Sequence, residues 1–458
     1  MNCMYRIYGT VCFPEGIATS EGNSGSNILP IARNGKNEAV VRGTTLAGLL
    51  RNHFLIASNK DFTNQWFGEA LDGKEERASK IKVHDVVLGK GSCKITMERT
   101  HNMVNRHTGV VVKNGLFSVE SVVPGASGVF CLYIKADADD SEKCIETLSK
   151  VLGNSLTIGG NRNRGMGRIE FKNLESCRFN LDNAEDYADW LSTRYADAKG
   201  LHYTPKKNSR FEATEDTSVL KLKLDIGIPR GEDFVIGYGE TLDGLLADPQ
   251  FVRKIDGKEY WCIPGSSFRG VVKGWMSRLA AKEGFILKDS HDHWNENRKS
   301  FKGDELGWGF VGKDERENFK KNPTLLKDPI LELFGSLYKR GRIHFSDAYS
   351  KEPRKDSDTQ LRKHVSIDRF SGGANDGALF SNKVLVGNVK FSMDVSISRK
   401  SFDGKDVDAD QWKKEITWLK KTFRAINQGI ISFGSSKGSG LLEITNLEEI
   451  NKQLEREG

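Results

Sequence analysis

Within ten residues, Gly159–Arg168 reads GGNRNRGMGR: four glycines, three arginines and almost nothing that would pack into a core. Glycines let a backbone come close to a phosphate, and Arg162, Arg164 and Arg168 add charge-assisted hydrogen bonds, so the loop suits a nucleic-acid backbone. A turn that needs positive φ accounts for one or two of the glycines and for none of the arginines. The loop follows a helical pattern and precedes a strand, whereas dinucleotide and Walker loops follow a strand and open a helix, which argues against a cofactor phosphate site.

Two further constellations carry chemistry. VRGTTLAGLLRN (41–52) and IPGSSFRGVVKG (263–274) share a glycine before two hydroxyl residues, a second glycine five places on and a cation three places beyond. Those residues are Gly43, Gly48 and Arg51 in one and Gly265, Gly270 and Lys273 in the other. Both open helices, so backbone N–H groups and the hydroxyls of Thr44, Thr45, Ser266 and Ser267 can take a phosphate, with Arg51, Arg269 or Lys273 beside it. Ordinary N-capping by Ser and Thr is the other reading. His101 and Arg106 recur as His364 and Arg369, five residues apart in each, ahead of glycine-rich segments that return at LF. That pattern suits an extended hairpin, and the histidines there are a general base or simply solvated.

These residues must be positioned by a duplicated frame. The helix starts, the segments WFGEALDGKEERASKIKVHDVV and LFGSLYKRGRIHFSDA, the His/Arg hairpins, and the loops TIGGNRNRGMGRIEF and SFGSSKGSGLLEI (with Lys437) match in one order. The offset grows from 222 at Gly43 to 263 at His101 and 273 at Gly165, so the second copy carries insertions, mostly at about 281–330. Periodicity gives each copy strand, helix, strand, strand, helix, strand. The expected fold is α+β: two tandem ferredoxin-like (βαββαβ, RRM-like) modules with protruding hairpins. The expected boundaries are a first module over 1–171, a helix and linker over 172–216, a second module over 217–446 and a tail over 447–458.

Composition bounds the function. No run approaches the roughly 18 to 20 apolar residues of a membrane span, and the N-terminus lacks a signal-peptide pattern, so a soluble, cytoplasmic protein without membrane contact is expected. Seven cysteines without a CxxC pair argue against both a disulfide framework and structural zinc. The HDH at 291–293 reads as a solvated loop rather than a ligand set. Lysine and arginine exceed aspartate and glutamate by 69 to 62, which is compatible with a polyanionic partner without demanding one.

Taken in order, the GSSFRG helix start, the FG turn before RIHFSDA, the HVSIDRFSGGANDGALF hairpin and the late glycine-rich loop resemble the RAMP superfamily of CRISPR-associated proteins. More narrowly, they resemble backbone subunits of type III interference complexes. Two modules in one chain resemble the fused double-backbone subunits of type III-D complexes. The resemblance implies CRISPR guide RNA, complementary target RNA and other effector-complex subunits as partners. It also implies that the helix starts and glycine loops hold the guide backbone, while the hairpin is a thumb wedged into the guide–target duplex.

The same resemblance implies metal-dependent cleavage of target RNA by an aspartate between the first strand and the helix start. In the second copy, DPQFVRKIDG places it at Asp248, with Asp243 and Asp256 in the same loop as alternatives. A carboxylate there would hold Mg²⁺ or Mn²⁺ beside the scissile phosphate or orient the 2′-hydroxyl, although Asp-Pro is also a common turn opener. The corresponding first-copy loop, EGNSGSNILPIARNGKNEAVVRG, has no aspartate and offers Ser26 or Asn27 instead, so the first module is expected to bind without cutting. Two alternatives stay open: a metal-free CRISPR RNA processing ribonuclease acting through a histidine, and a scaffold that only binds RNA.

Overall fold

The structure is a computed structural model that describes residues 2–19, 28–69, 77–89, 96–104, 111–137, 141–154, 156–160, 165–199, 203–214, 218–235, 241–242, 246–247, 251–255, 258–285, 328–335, 340–401, 405–433 and 440–457. It divides into two compact units, Met1–Arg162 with Met166–Thr217 and Asn163–Gly165 with Ser218–Gly458.

The first unit runs β1 (Asn2–Phe13), α1 (Gly43–Ala57), α2 (Lys60–Phe67), β2 (Ile81–Val83), β3 (Thr96–Val104), β4 (Val111–Val122), β5 (Ala126–Asp137), α3 (Ser141–Gly153), β6 (Arg168–Asn180) and α4 (Ala184–Lys199). Its main sheet has the order β6-β1-β5-β2, every pair antiparallel. With the β3–β4 hairpin set aside, this is the βαββαβ arrangement. Period-two alternation on β1 sends Cys3, Tyr5, Ile7, Val11 and Phe13 into the core. They meet Leu46, Leu50 and Phe54 of α1 and Leu148 and Val151 of α3, spaced at helical intervals. Each fully buried Leu or Phe contributes about 1.5–3 kcal/mol.

The strand β6 extends well past the expected GRIEF, to Asn180, through a register shift opposite Tyr8–Thr10 where Asn173 takes φ 50°. After it α4 lies on the face of the sheet away from α1 and α3. There Arg6, buried on β1, pairs with Asp197 of α4 at 2.9 Å and stacks on the Tyr8 ring. Tyr133 also donates to Asp197. Most of 172–216, read from the sequence as a helix and linker, is therefore integral to the first unit.

The second unit repeats the plan with β7 (Val219–Gly227), β8 (Lys258–Ile263), α5 (Gly265–Lys282), α6 (Pro329–Phe334), β9 (Ile343–Phe345), β10 (Ala348–Ser350), β11 (Thr359–Ile367), β12 (Ala374–Val386), β13 (Lys390–Ser398), α7 (Ala409–Asn427), β14 (Glu443–Ile444) and α8 (Leu447–Glu457). The order β14-β7-β13-β9 matches the first sheet, and β10 and β8 extend it. Both units are thus the ferredoxin-like α+β modules expected from the repeat. Within the tail, α8 packs on the second unit and buries Ile450 and Leu454 in its core. Beneath α7 a fully buried ion pair joins Arg342 to Glu415, and burial pushes the Glu415 carboxyl up despite its partner. Among the described residues, no helix is long and apolar enough to cross a membrane.

Candidate nucleic-acid interface

The two helix starts are built alike, and in each a carboxylate of the chain takes the first helix amide that a phosphate would otherwise meet. The Gly43 N–H donates to Asp85 Oδ1 at 2.7 Å, and the Gly265 N–H donates to Asp347 Oδ1 at 2.8 Å. Each carboxylate sits at the last position of the duplicated KIKVHD and RIHFSD motifs, in the gap between two short strands, Ile81–Val83 and Val86–Val87 in one copy and Ile343–Phe345 and Ala348–Ser350 in the other. A negative charge of the protein itself thus satisfies the first amide of each helix. The residues preceding the helices, Arg42 and Pro264, make no side-chain cap bond, so Ser/Thr capping is not the arrangement either.

The repeated glycine pairs separate into two kinds. A Cβ on Gly43 would come within 2.2 Å of the Val83 carbonyl oxygen, and one on Gly265 within 2.5 Å of the Phe345 and Ser346 oxygens. These first glycines exist to let the helix start touch the strand end. By contrast, a Cβ on Gly48 or on Gly270 would meet nothing within 4 Å. Both lie exposed in helix interiors, where glycine costs roughly 1 kcal/mol relative to alanine. Among the described residues nothing requires them. On α5 the surface around Gly270 is completed by half-buried Ser266, Ser267, Lys273 and Gly274, and on α1 that around Gly48 by exposed Thr44 and Thr45 with half-buried Arg51. Such a face admits a polymer backbone at close range.

Several predicted cations are already engaged. Arg51 donates to Asn64 Oδ1 at 2.9 Å, and Arg269 donates to the Phe334 carbonyl while lying over its ring. Arg168 is held by Glu170, with Glu15 at 3.9 Å. Three glycines of the GGNRNRGMGR loop, Gly159, Gly165 and Gly167, have positive φ, more than the one or two expected, so the turn reading explains most of its glycine content. Arg162, Arg164, Arg106, Lys437 and the three loop aspartates Asp243, Asp248 and Asp256 lie outside the described residues, as do Ser26 and Asn27. Among the described residues, no group of three or more His, Cys, Asp and Glu could hold a metal.

The hairpins form as expected. In the first unit β3 pairs with β4, His101 standing opposite Phe117; in the second β11 pairs with β12, His364 opposite Phe380. At the tip of the second hairpin, Asp368 Oδ1 accepts the N–H groups of Phe370 at 2.9 Å and Ser371 at 2.7 Å, and Gly372 turns the chain at φ 69°. Those amide bonds hold the Asp368 carboxyl below the usual carboxylate range. This locked turn presents Arg369 and a fully exposed Phe370 to solvent. Behind it Leu361, Val365, Ile367 and Leu379 are also exposed, an apolar ribbon face that the unit leaves uncovered. Phe370 was not singled out in the sequence; its place immediately after the repeated Arg at a hairpin turn was the available signal.

The RAMP superfamily model matches the chain over residues 10–170 and 235–443, which is most of its length and falls once in each unit. No curated protein matches the chain.

Proposed function

The chain belongs to the RAMP superfamily, whose CRISPR-associated members are RNA-binding subunits, and from that premise we propose that it is the double-backbone subunit of a type III CRISPR effector complex. Each unit would bind a stretch of CRISPR guide RNA, and the second unit would cleave the paired target RNA. The observation that carries this reading is the twofold occurrence, in two ferredoxin-like units, of an open helix face around a glycine that no described residue requires, together with a long antiparallel hairpin.

In this reading the guide backbone runs over Gly48 and over Gly270, close to the helix axes because no side chain intervenes. Lys273 and Arg369 add positive charge, as would Arg162 and Arg164 of the glycine loop. Phe370 at the locked hairpin tip stacks on a base of the guide–target duplex. Cleavage is assigned to Asp248, with Asp243 and Asp256 as alternatives. Their carboxylates are hard oxygen donors of the kind Mg²⁺ or Mn²⁺ takes together with substrate phosphate. The metal would stabilise charge on the reacting phosphate; the chain would supply the donor and hold the strand. The first unit has no aspartate in the corresponding loop and would bind without cutting.

The test is to assemble the protein with guide RNA and its neighbouring subunits and to map cuts in an end-labelled target, comparing wild type with Asp248→Ala. One cut lost with target binding retained supports the assignment. Cleavage persisting in EDTA points instead to a metal-free processing ribonuclease. A bound target left intact in every metal makes the chain a scaffold.

A further inference from the structure

The first unit contains a cavity that the duplicated interface does not use. It measures about 570 Å³, within the usual range of roughly 300–1,000 Å³ for small organic ligands. Its floor is apolar: Ile7 of β1, Ile145 of α3, and Phe211. Its wall is the helix-side face of β6, where the register sets Ser176 opposite Ile7 and Arg178 opposite Tyr5. In a two-layer module those positions should be apolar, since they face the helices. Here they are a hydroxyl and an exposed guanidinium.

Among the described residues Arg178 has no ion-pair partner at bonding distance. It donates to the Cys3 Sγ at 3.4 Å, and its guanidinium carbon lies 5.7 Å from the Tyr5 ring centroid. A second cation, Lys207, also lines the cavity, tied to Asp186 at 2.8 Å. Asn208 and Ser209 also line it beside Ser176; the Asn208 amide donates to Glu175, and the Ser176 and Ser209 hydroxyls lie 3.2 Å apart. The lining carries two cations and one carboxylate. Ser176, Arg178, Lys207 and Phe211 all lie beyond residue 170, outside the stretches matched by the family.

We propose that this cavity binds a nucleoside monophosphate, its phosphate on Arg178 and Lys207 and its ring against Ile7, Ile145 and Phe211. A bare phosphate would fill a small part of the volume and leave the apolar floor wet. A wholly apolar ligand would strip water from Arg178 without giving it a partner. The ligand class that satisfies both ends has an anion joined to a flat ring whose edge takes hydrogen bonds from the Asn208 amide and the serine hydroxyls.

Equilibrium dialysis of labelled adenosine 5′-monophosphate against the full-length, RNA-free protein tests this. Uridine 5′-monophosphate, adenosine and inorganic phosphate serve as competitors. Saturable uptake of one equivalent at or below about 1 mM is expected, with adenosine and phosphate each about tenfold weaker than either nucleotide. Arg178→Gln should weaken uptake about tenfold without moving the thermal midpoint, because the side chain is exposed. Ser176→Phe should fill the cavity and abolish it. Should Ser176→Phe fail to fold, Arg178→Gln still decides. Absence of saturable uptake, uptake unchanged in Arg178→Gln, or uptake abolished by guide RNA would each overturn the assignment; the last would move the nucleotide onto the RNA interface.

Discussion

Replacing Gly270 by alanine should make the free protein more stable and its RNA binding weaker. The position is exposed in the interior of an 18-residue helix, its φ is not positive, and the added Cβ meets nothing within 4 Å. Helix propensity alone then favours alanine by about 0.8–1.0 kcal/mol. For a unit of roughly 150–250 residues that is a rise of about 2–4 °C in the thermal midpoint. Gly48→Ala should do the same in the first unit. Against RNA the sign reverses: a side chain at either position pushes the backbone away, mildly for alanine and by at least about tenfold, or 1.4 kcal/mol, for Gly270→Gln. Thermal unfolding of the free protein and filter binding of guide RNA read the two effects separately. The paired control is Gly265→Ala, whose Cβ would lie 2.5 Å from two backbone oxygens and should destabilise by about 1–3 kcal/mol. If Gly270→Ala destabilises the protein, or if Gly270→Gln binds guide RNA like wild type, the open helix face is not where RNA lies.

Other consequences are equally direct. Phe370→Ala removes a side chain with no protein contact to lose, so stability should hold within about 0.5 kcal/mol while guide–target complexes weaken by about 1–3 kcal/mol of lost stacking, measured by target dissociation rates. Asp347→Ala strips the first amide of α5 of its buried acceptor and should cost about 1–2 kcal/mol in urea unfolding, with Asp347→Asn recovering part. Burial, helped by nearby Arg194, lowers the His84 pKa below its ordinary 6.5, although Asp197 pulls the other way. The folded state therefore binds fewer protons than the unfolded chain. Stability from this site is full above the unfolded pKa and falls as pH drops from about 7 toward 5, a slope that His84→Gln should flatten.

Much of this architecture was legible in the sequence because the chain states it twice. Helical spacing in α1 and α5 and alternation in β1 and β7 reach the same answer independently, and both sheets adopt it. The run of β6 beyond Phe171 was obscured by its bulge: Asn173 at φ 50° interrupts the alternation, so Ser176 and Arg178 read as linker. The helix-start aspartates escaped notice for another reason. Asp85 and Gly43 are 42 residues apart, and Asp347 and Gly265 82, distances over which spacing carries no signal. Gly43 and Gly48 likewise look equivalent in sequence. Only the strand end pressed against one and the open space beside the other reveal that the first serves the fold and the second does not.

The central claim is that both units hold the guide. Photo-crosslinking of a guide RNA to the assembled protein, followed by identification of the linked peptides, tests it most directly. Crosslinks are predicted on both helix segments, that bearing Gly48 and that bearing Gly270. Crosslinks confined to one unit, or absent from both segments, would contradict it.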